Sequence, residues 1–421
     1  MKNIQRSIGR DVRRTQAGFS LVEVMVSVAI MSLIMGATMS ALSQAMKANE
    51  TAVLVTGMNN ALRTGMDIII RDMLQVGAGL PPGHFVLIPF GTATRVKVPG
   101  PPGTATTTAL GDTDFNAVNP GTGGGPLVNL VTGGACATPG AGCVATDTIT
   151  TLAADSTFSH IPLKARNLNG TTIDVQLNGL DGIAGNADDV NIGAGPDRVL
   201  PGQLIMLEKG SYAVLLQVTA VDAPSGRITF ATGDSLQLNQ HTAPSGSVAG
   251  ASGLNNFAPI ANNFDTTLPN PQTVPPTYAL ATVATRVRMI TYYIDATKPD
   301  HPKLVRRINN GHQTTFDNTS GSTVATDIDN LQISYDIADG SINPANVRFT
   351  AADFAGTGAC KPPASPTPVP CSVNQIRKVN VTLSARSRTV FTTTKKYFRN
   401  SLTTQVSLRG MAFVNEYSPP Q

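Results

Sequence analysis

The chain has 421 residues, enough for one large buried core or two modest ones. Charged side chains make up 14% and aromatics 5%, Trp is absent, and Gly (39) and Pro (29) are plentiful, which suits short strands joined by turns better than a helical bundle. The net charge of +4 resides in residues 1–18, where Lys2, Arg6, Arg10, Arg13 and Arg14 stand against Asp11; of 31 basic and 27 acidic side chains, 26 of each lie beyond. A formally neutral body gives no electrostatic footprint for nucleic acid, and no such partner is expected.

The chain turns abruptly apolar at Phe19, and from Phe19 to Leu42 the only ionisable side chain is Glu23. A helix over this run, rising about 1.5 Å per residue, is long enough to cross a bilayer. The basic residues ahead of it stay cytoplasmic, so everything after Leu42 faces outward. A secretory signal would place a small-residue cleavage site after the apolar run. Here the basic leader instead ends at Gly18, before the run. A carboxylate inside a membrane helix costs roughly 2.5–3.5 kcal/mol, so Glu23 is expected to serve a purpose.

The string Ala17-Gly18-Phe19-Ser20-Leu21-Val22-Glu23-Val24 closely resembles the type IV prepilin (class III) signal. The resemblance implies that residues 1–18 are a leader removed by prepilin peptidase between Gly18 and Phe19. It implies that Phe19 becomes the N-methylated first residue of the mature chain. It also implies that Glu23 pairs with the N-terminal amine of a neighbouring subunit during assembly. Many major pilins carry a Pro within this segment, whereas Phe19–Val76 has none, as in many minor pilins and pseudopilins.

Beyond the apolar run, Leu42, Met46, Val53, Met58, Leu62, Met66, Ile69, Met73 and Val76 recur mostly at three- or four-residue steps. Gly77-Ala78-Gly79 and then Pro81-Pro82 supply a stop. The pattern predicts one helix over Phe19–Val76, about 87 Å long at 1.5 Å per residue. Residues 19–42 form its transmembrane and assembly part, and residues 43–82 an amphipathic continuation with its exit.

Residues 83–421 read as a β-rich outer domain with period-two, β-branched segments. Strands are expected near His84–Pro89, Arg95–Val98, Asp147–Leu152, Thr172–Leu177, Gln203–Leu207 and Tyr212–Val221. Others fall near Arg227–Ala231, Thr282–Ile294, Lys303–Ile308, Asn330–Ile337, Lys378–Arg386 and Gln405–Phe413. Pro99–Gly134 and Thr232–Pro276 read as long surface loops or partly disordered insertions. Arg71-Asp72-Met73, Thr146-Asp147-Thr148-Ile149-Thr150, Thr291-Tyr292-Tyr293-Ile294, Lys303-Leu304-Val305-Arg306-Arg307, Asp329–Tyr335 and Val379–Ser387 are similar to phrases of the PilW group of minor pilins.

Four Cys residues form two local pairs, Cys136/Cys143 and Cys360/Cys371, whose gaps do not fit the tight knuckles of zinc sites. Two nearest-neighbour disulfides are the simplest reading, with unpaired thiols as the alternative. Asp181, Asn186, Asp188, Asp189 and Asn191, with Asp197 downstream, crowd oxygen ligands into a Gly-rich segment. This segment reads either as an Asx-rich turn or as a calcium loop, although it lacks the closing Glu of an EF-hand. His84, His160, His241, His301 and His312 are scattered. Without a nucleophile elbow or P-loop, no enzymatic activity and no further cofactor are expected. Arg386, Arg388, Lys395, Lys396 and Arg399 cluster near the C-terminus, as strand-face and turn charges or as a weak DNA-contact candidate.

The expected fold is α+β and pilin-like: a long N-terminal helix packed on an antiparallel sheet with large loop insertions. The implied role is that of a minor pilin in type IV pilus assembly or priming, located in the inner membrane and the surface pilus. Its partners would be prepilin peptidase, other major and minor pilins, and the inner-membrane assembly platform. A pseudopilin of a type II secretion system, of the PulJ/GspJ kind, and a pilus-tip adhesin remain as alternatives.

Overall fold

The computed structural model describes residues 18–81, 85–88, 96–102, 106–107, 114–121, 127–129, 143–166, 171–178, 183–186, 189–209, 212–239, 283–309, 321–337, 354, 359–360, 369–370, 373–391 and 394–411. The chain divides into two units, Met1–Leu54 and Val55–Gln421. One helix, α1 (Leu21–Met73), contributes to both.

In the first unit α1 begins at a cap. The Ser20 hydroxyl accepts the Val22 N–H at 3.3 Å, and the Ser20 carbonyl accepts those of Glu23 and Val24 at 3.0 and 3.1 Å. Ser20-Leu21-Val22-Glu23 has the residue order of a capping box, and the Glu23 carboxylate stands in the first turn, where the helix dipole favours negative charge. Ser27, Ser32 and Thr38 donate their hydroxyls to the carbonyls of Val24, Val28 and Met35. These polar groups are therefore satisfied by the helix itself, the condition for placing them in hydrocarbon.

In the second unit α1 buries Met58, Leu62, Gly65, Met66, Ile69 and Met73, a stripe at helical spacing. The helix unwinds through a turn at 74–79. Gly77 and Gly79 adopt φ of +77° and +68°, a region nearly reserved for glycine at helix exits. The Gly77 N–H donates to Leu152 O at 3.0 Å, and the Ala154 N–H donates to Ala78 O at 2.9 Å. The exit is thereby stitched onto the sheet.

The first strands are short: β1 (Phe85–Leu87), β2 (Lys97–Val98), β3 (Thr106–Thr107), β4 (Asp114–Asn116), β5 (Val118–Gly121), β6 (Leu127–Asn129) and β7 (Cys143–Ala145). Then come β8 (Thr148–Ala154), β9 (Ile161–Arg166), β10 (Thr172–Val175), β11 (Leu204–Lys209), β12 (Tyr212–Gln217), β13 (Ala220–Asp222) and β14 (Arg227–Thr229). The last group is β15 (Val283–Asp295), β16 (Lys303–Ile308), β17 (Ser322–Thr326), β18 (Ile328–Ile337), β19 (Ala359–Cys360), β20 (Val369–Pro370), β21 (Ile376–Arg386) and β22 (Arg399–Ser407).

The longest strand, β15, is shared between two parts of one sheet. Its first part pairs with β9 and β11, its second with β8 and β16. Two residues seal the change of partner. Asn309, buried and at φ +50°, accepts the Met289 N–H on Oδ1 at 3.0 Å and donates its own N–H to Met289 O at 2.7 Å. Asp155 accepts from Arg286 at 2.8 Å and also from Arg288. Burial pushes the Asp155 carboxyl up, but hydrogen bonds from Thr157 and Arg286 outweigh it and hold it at about 2.

A second, antiparallel sheet has the order β18-β21-β22. Against the helix stripe it packs Leu331, Ile333, Val379, Val381 and Leu383, together with Tyr292 and Leu304 from the large sheet. Two further cores lie on opposite sides of β11–β12: Ile205, Leu207, Val214 and Leu216 face one, and Leu204, Met206, Ala213 and Leu215 face the other. A strand pair buried on both faces reads as a continuous apolar run rather than an alternation. Each fully buried Leu or Ile contributes about 1.5–3 kcal/mol.

The α+β architecture matches expectation, with corrections. The helix predicted over Phe19–Val76 runs Leu21–Met73. Pro99–Gly134, expected as a loop, contains β3, β4, β5 and β6, which pair with β2, β1, β8 and β7. These strands are two to four residues long and half polar, so they carry little apolar pattern. β7, β9, β17, β19 and β20 have no expected counterpart. The last strand was expected over Gln405–Phe413 and is observed over Arg399–Ser407. Its exposed residues pair with β21 through the backbone, while the apolar signal of Leu408 and Met411 belongs to the following 3-10 turn. Of Thr232–Pro276, residues 232–239 form turns and the rest lies outside the described residues.

Candidate functional site

Gly18, Phe19 and Glu23 are brought together at the exposed start of α1. Residues 1–17 lie outside the described residues. Phe19 is 81% exposed, and a Cβ added at Gly18 would meet nothing within 4 Å. The peptide bond between them is thus sterically open. From Leu21 onward Val22, Met25, Ile30, Met31, Leu33, Ile34, Met35 and Met39 are all exposed. The helix is long and apolar enough to cross a membrane, and its most apolar window is entirely unburied. In water such a surface is costly; in a bilayer or against other apolar helices it is at home.

Within the second unit, one polar cluster fastens the helix to the sheets. Asp72, in the last turn of α1, accepts from Arg306 Nε at 2.6 Å and Nη2 at 3.0 Å, and the Tyr292 hydroxyl donates to the same carboxylate. Tyr292 and Arg306 are opposite each other on β15 and β16, so one carboxylate reads a cross-strand pair. Burial and the neighbouring Asp72 push the Tyr292 hydroxyl well above its usual range, and the bond to Asp72 raises Arg306. Asp147 joins the two sheets in a similar way. Its N–H donates to Leu331 O at 2.8 Å, and its carboxylate accepts the Ile333 N–H at 2.8 Å. Burial pushes this carboxyl up to about 6, against the bond from Ile333. The Thr146–Thr150 phrase thus has a physical role that periodicity could not show.

Cys143, on β7, is disulfide-bonded, and no cysteine is free among the described residues. Cys136 and Cys371 lie outside them; Cys360 ends β19, whose partner β20 stops one residue before Cys371. Asp181 and Asp188 of the calcium candidate are also outside. Asn186 is at a bend. The Asp189 carboxylate accepts the Gly185 N–H at 2.6 Å, and Asn191 Oδ1 accepts those of Gly193 and Ala194 at 2.9 and 3.1 Å. The bond from Gly193 to Asn191 has the spacing of an Asx turn. Asp197 accepts from the Ser159 backbone at 2.7 Å. Among the described residues no three His, Cys, Asp or Glu side chains form a metal-holding group.

The basic cluster separates into two parts. Arg386 is buried, bonded to Pro299 O, and lies over the Tyr397 ring at 4.5 Å. Arg399 pairs with Asp329. Arg388, Lys395 and Lys396 are exposed. His160 and His301 are hydrogen-bonded to Thr285 and Asp327; the other His residues lie outside the described ones. A hollow lined by Gly202, Gln217, Thr219, Thr232, Asp234 and Ser235 has its polar groups engaged internally. Asp234 accepts from Leu238 and Asn239, and Gln217 accepts from Ser235 and Leu236. Burial pushes the Asp234 carboxyl up to about 6.

Residues 13–39 match the family model of the prokaryotic N-terminal methylation motif, which is typical of type IV prepilin-like proteins. The match covers the Gly18–Phe19 junction, Glu23 and most of the exposed apolar helix. No curated protein and no solved structure matches the chain.

Proposed function

We propose that this chain, carrying the prokaryotic N-terminal methylation motif of pilin-like and pseudopilin proteins, is a minor subunit that assembles into or primes a type IV pilus. Residues 1–18 are the leader. Prepilin peptidase cuts between Gly18 and Phe19, and Phe19 is then methylated. Residues 19–42 hold the precursor in the inner membrane with the head outside, and later pack against the apolar helices of other pilins.

The observation that carries this reading is the pairing of an open Gly18–Phe19 bond with an apolar first part of α1 that is exposed throughout its most apolar window, while the head has closed cores of its own. Glu23 fits a dual role. Before assembly it sits in the positive first turn of α1; in a filament its carboxylate neutralises the amine of a neighbouring Phe19, which lowers the cost of a charge in an apolar core. Disulfides between Cys136 and Cys143 and between Cys360 and Cys371 would suit a head folded in an oxidising compartment.

The test is N-terminal mass spectrometry of protein recovered from membranes and from sheared surface filaments, for the natural chain and Glu23→Ala. A mature chain beginning at methylated Phe19 in the filament fraction is expected, with Glu23→Ala cleaved but retained in the membrane. A chain that still begins at Met1, or is cut beyond Leu42, would refute the reading. Mature protein found with a secretion complex and absent from filaments would assign it to the pseudopilins.

A further inference from the structure

We propose that the tip of the β21–β22 hairpin docks on an anionic lipid surface. The inference rests on the membrane-anchored reading above and adds a second contact to it.

Its first support is the direction of β22 within the second unit. The Asn400 side chain, near the start of β22, donates to Asn59 Oδ1 at 2.9 Å, whereas a Cβ at Gly410, just after its end, would lie 2.3 Å from Val76 O. β22 therefore runs alongside α1 in the same sense, and the hairpin tip lies at the end where the chain enters the unit at Val55. The β15–β16 turn lies at the same end, since Arg386 bonds to Pro299 O.

The second support is the chemistry of the tip. It is a constructed turn: the Ser387 N–H donates to Phe398 O at 2.8 Å, Phe391 to Lys396 O at 2.9 Å and Lys395 to Phe391 O at 2.9 Å. Phe391 and Phe398 pack with ring centroids 5.0 Å apart. Lys395 sits at φ +54°, a conformation that costs a non-glycine residue energy. On this base stand exposed Arg388, Lys395 and Lys396, with Val390 40% exposed between them. Three acids nearby are occupied, Asp327 by His301, Asp295 by Lys303 and Asp329 by Arg399; the β15–β16 turn carries one exposed residue of each sign, Lys298 and Asp300, so it adds no net charge. Cations around a partly exposed apolar side chain suit a headgroup layer, where long basic side chains reach phosphates and apolar atoms enter the interface. Each basic side chain held near an anionic leaflet strengthens binding roughly fivefold, so three give roughly 100-fold.

The test uses the full chain in lipid nanodiscs of phosphatidylcholine, with and without phosphatidylglycerol, and reads hydrogen exchange at residues 387–398. Protection should rise more than about tenfold in the anionic discs. It should vanish in about 0.5 M salt and in the triple variant Arg388→Gln, Lys395→Gln, Lys396→Gln. Equal exchange in both disc types, or undiminished protection in the triple variant, would overturn the proposal. So would protection that appears only on adding other filament subunits, which would assign the tip to a protein partner. Co-elution with the discs reports the anchor separately: a chain that co-elutes without tip protection refutes this inference alone, and one that fails to co-elute refutes the anchor as well.

Discussion

Removing the guanidinium at Arg306 should destabilise the head far more than removing the whole ion pair. Arg306 and Asp72 are 22% and 11% exposed in their side chains, so the pair is mostly desolvated. Arg306→Met keeps the aliphatic stem but deletes two charge-assisted bonds of 2.6 and 3.0 Å. The Asp72 carboxylate is then left with the Tyr292 hydroxyl. Bonds to charged groups contribute about 1.5–3 kcal/mol each, and water reaching the exposed edge of Asp72 recovers part of that. The expected net loss is about 3 kcal/mol, toward the lower end of what breaking a buried pair costs. In the double variant Asp72→Leu, Arg306→Met no charge remains to be desolvated, and at least about 1.5 kcal/mol should return as coupling. Urea unfolding of the full chain in detergent, followed by the far-ultraviolet dichroism of the β-rich head, measures the singles Arg306→Met and Asp72→Leu and the double variant. A loss below about 1 kcal/mol for the single variant, or a double variant equal to the sum of its singles, would refute the clamp as the fastening of helix to sheets.

Asp147 and Asp234, both held at about 6, favour the protonated head. Their stabilisation is complete below the unfolded value near 4 and is lost as pH rises to about 6. Urea midpoints should therefore fall from pH 4.5 to pH 6.5, by at most about 3 kcal/mol per group, and Asp147→Asn with Asp234→Asn should flatten the profile. Asp155, held at about 2, acts in the opposite sense and only below about pH 4. Gly410→Ala should lower the melting temperature sharply, because its Cβ would meet the backbone of Val76, Gly77 and Ala78 at 2.3–3.0 Å; an unchanged transition would show that the helix exit yields. Asn309→Ala leaves the Met289 N–H without the side-chain acceptor it has at 3.0 Å and places Ala at φ +50°. A loss of about 2–4 kcal/mol in the same urea assay is expected, and a loss within 0.5 kcal/mol, the ordinary surface range, would contradict its role at the partner switch.

The N-terminal segment was legible in sequence because its physics is local. A run of apolar residues broken only by Glu23 specifies a helix and its solvent whatever the rest of the chain does. Ser20 and Glu23 mark its start within four residues, and Gly77 and Gly79 mark its exit for the same local reason. The helix stripe from Met58 to Met73 and strands such as β11, β15 and β21 also announced themselves through periodicity and β-branching. Other features depend on partners that only folding brings together. β3, β4, β5 and β6 hold place through ladders to other strands, and these two- to four-residue strands lie in a Gly- and Thr-rich stretch that reads as loop. The start of β22 pairs through its backbone and carries polar side chains, which shifted its expected position by six residues. Asp72 reaches Arg306 across 234 positions of chain, and Asp147 reaches Ile333 across 186. The phrases around Asp72 and Asp147 carry a family resemblance, but nothing in them says which distant groups the two carboxylates bond. Whether a carboxylate is a solvated charge or a fastening between sheets depends on what desolvates it and what bonds to it, and both are set by tertiary contact.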